Sequence, residues 1–185
     1  MLILPYLNFL SALVYMFLAV FIFLKNPTSS QNRLCTVIFM AFVLWCLGKT
    51  ITHNPHIPME VAVYPMKFVI VGAWAFSGFI LWFTLLFTEK EQILHQKWPY
   101  LLLFGIPVAS ILSQWVDGNV ITYVQRSFGW GIAWQKTFLA RALVIHIFMT
   151  IVLSIALMLH FSVKSGNPIK KKQARIIGMS LFAGF

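Results

Sequence analysis

TFLARALVIHIFMTIVLSIALMLHF, residues Thr137–Phe161, runs twenty-five positions with one formal charge, Arg141. At about 1.5 Å per residue a helix of that length exceeds the ~30 Å hydrocarbon core of a bilayer. Its apolar residues are continuous rather than alternating, and a barrel strand needs only about ten residues, so a helix is the reading. Four more runs have the same character: Leu2–Leu24, Leu34–Thr52, Phe68–Thr88 and Trp98–Val116. The last contains Pro107, which removes one backbone donor and predicts a kink. A sixth apolar run, Ile176–Phe185, is too short to cross and reads as the start of a helix in a longer protein.

Composition agrees. The chain has 185 residues, of which 60% are hydrophobic and 10% charged, against about 25% charged in soluble domains. Such a chain cannot cover a core with polar surface. The formal charge of +10 is split into short islands between apolar runs, which excludes a nucleic-acid face. The first run has no basic segment before it and no small-x-small cleavage site after it, so it is a retained span and not a signal peptide. The expectation is an all-α polytopic membrane bundle, with five complete helices and part of a sixth out of seven, as one domain over residues 1–185.

The basic residues set an orientation. Connections one, three and five carry nine of the fourteen Lys and Arg, and the opposite side carries five. The positive-inside rule places the former in the cytoplasm and the N-terminus outside. Lys170, Lys171, Lys172 and Arg175 are the main topology anchor, with anionic lipid as a compatible contact. The cytoplasmic connections are too short to fold as domains. The longest connection, about 117–136, holds Tyr123, Phe128, Trp130 and Trp134 among glycines and is expected to lie on or dip into the outer headgroup layer.

Catalytic chemistry has no carrier: there is no phosphate loop, no nucleophile triad and no paired metal-binding histidines on a helix. His53 and His56, with Glu60 nearby, make a poor metal site. Cys35 and Cys46 are roughly 16 Å apart along one helix and cannot bridge. Neither a metal nor a cofactor is expected. Lys49, Lys67 and Arg141 lie near span ends and can snorkel to headgroups. His146 falls near mid-membrane, where a neutral ring bonded to a neighbouring helix competes with a signalling role. Gly72, Ala73, Ala75, Ser77 and Gly78 mark a close helix crossing. If the outer half binds a small ligand, Trp130 or Trp134 supplies the wall, Arg141 the anchor and His146 a further contact.

The first helix ends FLKNPTSSQNR, with Asn26-Pro27 and Asn32-Arg33. Leu44-Trp45 follows, the third helix ends ILWFTLLFTEKE, FGWG precedes the fifth, and NPIKKKQARIIG precedes the sixth. In this order and spacing the chain resembles the N-terminal seven-helix membrane region of bacterial sensor histidine kinases, also found ahead of diguanylate cyclases. The resemblance spans the whole chain. It implies a sensory input domain in the bacterial cell membrane, an output domain in cis in the cytoplasm and a homodimer. The ligand of such regions is generally undefined. None of His53, His56, His95, His146 and His160 matches the phospho-accepting histidine of the family. The competing reading is a fragment of a small transporter or permease, whose marks are paired repeats and broken helices. Pro107 and His146 are the only hints of it.

Overall fold

The computed structural model describes residues 3–184. Within them the chain forms α1 (Ile3–Lys25), α2 (Ser30–Thr52), α3 (Met59–Phe87), α4 (Trp98–Val116), α5 (Phe138–Lys164) and α6 (Pro168–Gly184). A 3-10 turn, Glu91–His95, joins α3 to α4, and two strands, β1 (Ile121–Arg126) and β2 (Gly129–Trp134), stand between α4 and α5. Helices α1 to α5 are each long and apolar enough to cross a membrane. Phe17, Phe21, Leu101, Phe148 and Val163 are exposed on their outer faces, as lipid-facing side chains must be. The protein is a multi-pass membrane bundle. Leu2 and Phe185, expected at the ends of the first and last helices, lie outside the described residues.

Helix α3 is the hub, packing on α2, α4 and α5. Close crossings need small residues, because lipid gives helices no hydrophobic reason to associate. A Cβ at Gly72 would sit 2.6 Å from the Ala41 carbonyl oxygen of α2, and one at Gly78 would sit 2.6 Å from that of Leu103 on α4. The small-residue patch on α3 therefore serves two crossings, one on each side.

Two helix starts and one connection depart from expectation. Helix α3 starts at Met59, nine positions before Phe68, and runs through Pro65. The extension carries Ala62 and Met66, buried in line with Val69 and Ile70 of the expected span, a helical stripe whose packing outweighs the lost donor. Helix α6 starts at Pro168, so the lysine run lies inside it. The Asn167 Oδ1 accepts from the amides of Ile169 (3.0 Å) and Lys170 (3.2 Å), and a proline at the first helical position needs no donor. Helix α4 continues through Pro107.

The third departure concerns the 117–136 connection, for which no strands were expected and which forms a β-hairpin. Its strands pair antiparallel from Ile121↔Trp134 to Arg126↔Gly129. One face presents Ile121 and Tyr123 beside Ile132, packed into the bundle core with Ile70, Trp74 and Leu143. Period-two alternation thus puts an apolar face on the ends of the helices. Backbone groups around the hairpin are satisfied by side chains: Gln114 Oε1 accepts from the amides of Val120 (2.9 Å) and Ile121 (2.8 Å), and Gln135 Nε2 donates to the Gly118 carbonyl at 2.6 Å.

Candidate functional site

The hairpin closes one end of the bundle, and Gly129 makes the closure possible. Its φ is +118°, a region only glycine occupies without strain, and a Cβ there would overlap the Thr52 carbonyl and lie 2.8 Å from the His53 Cα. The turn of the hairpin is consequently seated on the end of α2. Trp130 locks it, with its ring buried on Ala62, Met66 and Val69 and its Nε1–H donating to the Ile57 carbonyl at 2.7 Å. Phe128 meets the His53 ring edge-on at 5.4 Å.

His53 also reaches α1. The Asn8 Nδ2–H donates to His53 Nδ1 at 2.9 Å, which leaves Nε2 as the protonated ring nitrogen. Burial lowers the His53 pKa below its ordinary value, and the Lys49 ammonium nearby lowers it further. Beside this histidine opens a cavity of about 620 Å³, walled by Leu4, Trp45, Phe128 and Ile132 and ringed by Asn8, Lys49, His53 and Arg126. Lys49 is half-buried and Arg126 exposed. Among the described residues neither has a carboxylate partner.

The residues singled out in the sequence fall elsewhere. Trp130 is 9% exposed, a structural anchor. Trp134 stacks on Trp74 at 6.2 Å and lines an apolar groove of about 520 Å³ with Val144, Phe148 and Ile151. Arg141 is exposed on α5 and does not line that groove. His146 is buried, and its Nε2–H donates to the Leu103 carbonyl of α4 at 3.2 Å. Of the four, only Trp134 lines this groove, and none lines the cationic cavity. Lys49, His53 and Arg126 meet from the end of α2 and from a hairpin more than seventy positions later. Their one sequence signal is that all three occur in connections or span ends on the same side.

The pattern of spans, hairpin and basic run extends over the chain, and so does its match to a family model. Residues 7–185 match the N-terminal 7TM region of histidine kinase. The chain belongs to that family. It is a membrane sensor or input domain that passes a signal on to an output domain. No curated protein and no solved structure matches it.

In this histidine-kinase membrane region, the end opposite the hairpin carries the basic run. Lys170 Nζ pairs with Glu89 Oε1 at 2.6 Å, joining α6 to the connection after α3. Glu89 has φ +61°. The Glu89 amide bonds back to the Leu86 carbonyl and the Lys90 amide to that of Leu85, the paired bonds of a Schellman ending, with glutamate where glycine is usual. Asn32 Nδ2 donates to the Ile22 carbonyl and Thr36 Oγ1 to that of Ala19, pinning α1 to α2. Gln31 Nε2 reaches the Leu86 carbonyl at 3.3 Å. The Asn26, Asn32 and basic-run motifs thus gather at one end of the bundle. Among the described residues no group of three His, Cys, Asp or Glu could hold a metal ion.

Proposed function

We propose that this domain receives its stimulus at the hairpin end, outside the cell, and transmits it through the bundle to a cytoplasmic histidine kinase joined beyond α6. The membrane is the bacterial cell membrane, and the working form is a homodimer. The observation that carries the reading is the family match over residues 7–185. The orientation is supported by nine basic residues on the connections at one end against five at the other. Nucleic acid has no part in it. The route to the output passes along α5 and α6, which pack on each other, with Glu89–Lys170 bracing the start of α6.

The test replaces residues 1–185 of the intact protein with an unrelated membrane anchor of the same orientation and equal abundance. Autophosphorylation should persist, while its change with growth conditions disappears. Retention of the wild-type response by the chimera would overturn the sensory role.

A further inference from the structure

The cavity beside His53 combines an apolar wall with cationic groups that lack counter-ions. Lys49 belongs to a membrane-spanning helix, where a charge is tolerated when it has a partner or reaches water. It is half-buried at the cavity rim. Arg126 arrives from the hairpin on the same cavity. The ion pair among the described residues, Lys170–Glu89, lies at the other end of the bundle. Glu60 and Asp117, the carboxylates on the hairpin side, pair with neither cation.

Geometry gives the site a polarity. An ammonium and a guanidinium are donors only, and the guanidinium fork matches the paired oxygens of a carboxylate or phosphate. The His53 ring adds a third donor, because Asn8 already occupies Nδ1. Trp45 and Phe128 present apolar surface to whatever the donors hold. A volume of about 620 Å³ falls in the range of small-molecule pockets, which are mostly apolar with a few placed polar groups.

We propose that this cavity binds the anionic head group, carboxylate or phosphate, of a small amphiphile whose apolar part lies against Trp45 and Phe128. Lys49 and Arg126 hold the anion and His53 Nε2–H supports it. This is the ligand class of the sensory domain proposed above, and it rests on that reading for its physiological role. The head group comes either from an outer-leaflet lipid or from a free amphiphile. The site is distinct from the apolar groove at Trp134.

The experiment uses the intact protein in phosphatidylcholine nanodiscs, titrated with octanoate, octyl phosphate and octanol while thermal unfolding is followed. One or both anions should raise Tm saturably, as a ligand selective for the folded state does, and octanol should not. Lys49→Gln and Arg126→Gln should each weaken the anion by about 10-fold or more, the scale of a lost charge-assisted bond. Lys49→Arg, which keeps the charge, should retain most of the binding. Arg126→Lys should fall between wild type and Arg126→Gln because it keeps the charge without the fork, and Lys136→Gln should match wild type. Phosphatidylglycerol in the nanodisc separates the sources: competition with octanoate in the wild type identifies a lipid head group, and an unchanged Kd identifies a free amphiphile. Failure of both anions to raise Tm, or wild-type binding by the double Gln variant, overturns the site. Binding without any change in kinase output would keep the site and remove its sensory role. A stimulus response in a protein that binds neither anion would do the reverse.

Discussion

His146 on α5 donates its Nε2–H to the Leu103 carbonyl on α4, and Leu103 is the residue whose helical donor Pro107 removes. In a regular helix the amide of residue 107 would bond to that carbonyl. Water is absent at this depth, and a neighbouring helix supplies the missing donor. His146→Ala should therefore destabilise the bundle by roughly 1–2 kcal/mol, at the upper end for interhelical bonds in membranes. Pro107→Ala should recover part of that loss in the His146→Ala background by restoring the amide. Unfolding in mixed micelles measures the cycle, and additive effects would mean that the two sites are not coupled.

Gly129 carries the hairpin closure. An alanine there meets both an unfavourable φ and the Thr52 carbonyl. The backbone strain alone amounts to about 1–3 kcal/mol. Gly129→Ala is expected to lift the turn from the end of α2, expose the 126–129 segment to proteolysis and lower Tm. Gly118→Ala is a useful contrast: its φ is +65° but nothing lies within 4 Å, so it should cost only the strain and leave the hairpin seated.

The spans were legible because lipid demands long uninterrupted apolar runs, and α4 falls on its expected limits, Trp98–Val116. The hairpin was not. Its two-residue turn is Ser127-Phe128, without the Asn-Gly or Asp-Gly that announces a hairpin. Its aromatics suit a headgroup layer as well as a sheet. The early starts of α3 and α6 were hidden by prolines, which read as breakers although Pro58 and Pro168 stand at helix starts. The cationic cavity had no local signature, since Asn8, Lys49 and Arg126 meet only in three dimensions. Lys49 taken alone reads as a snorkelling residue. The close crossing at Gly72 and Gly78 was legible, because only backbone proximity rewards small residues clustered on one helix.

Acid should loosen the hairpin end. Burial, and then Lys49, hold the His53 pKa below its ordinary value of about 6.5. The unfolded chain therefore binds the proton more readily. The contribution of His53 to stability is fully present above about pH 6.5 and is lost as pH falls from there towards the folded-state pKa. Protonation sets an N–H against the Asn8 amide and adds a cation beside Lys49 and Arg126, while Phe128 covers the ring. Tm should fall more between pH 7.5 and 5 in the wild type than in His53→Gln. Equal pH dependence in the two proteins would assign the loss to other groups.

Glu89 combines a favourable ion pair with an unfavourable backbone. The side chains of Lys170 and Glu89 are 41% and 62% exposed, so the pair is worth about 0–1 kcal/mol, while the left-handed conformation costs a non-glycine residue roughly 1–2 kcal/mol. Glu89→Gly should be neutral or stabilising, and Glu89→Ala should destabilise by less than about 1 kcal/mol, losing the pair and keeping the strain. If the pair braces α6 for signalling, Glu89→Gly and Lys170→Gln will change basal kinase output in the same direction despite their different effects on Tm. Opposite changes would leave Glu89 with a local role only.

Orientation is decided by labelling from outside intact cells. Cys35 and Cys46 are free and half-buried, so both are first replaced by alanine. Single cysteines at Asn119 and Ser127, on the hairpin side, should react with an impermeant maleimide, and those at Ser30 and Ser165 should not. The reverse pattern would place the basic run outside. The same assay tests what the basic run does. Changing Lys170, Lys171 and Lys172 to glutamine leaves six basic residues on that side against five on the other, a margin too small to fix topology by charge. The change also removes the Glu89 partner, but an exposed pair costs too little to upset folding. Mixed labelling of the triple variant, with both sets of cysteines partly reactive, is therefore the expected signature of a charge-directed topology. Unchanged labelling would transfer the orienting role to the order and hydrophobicity of the first helices.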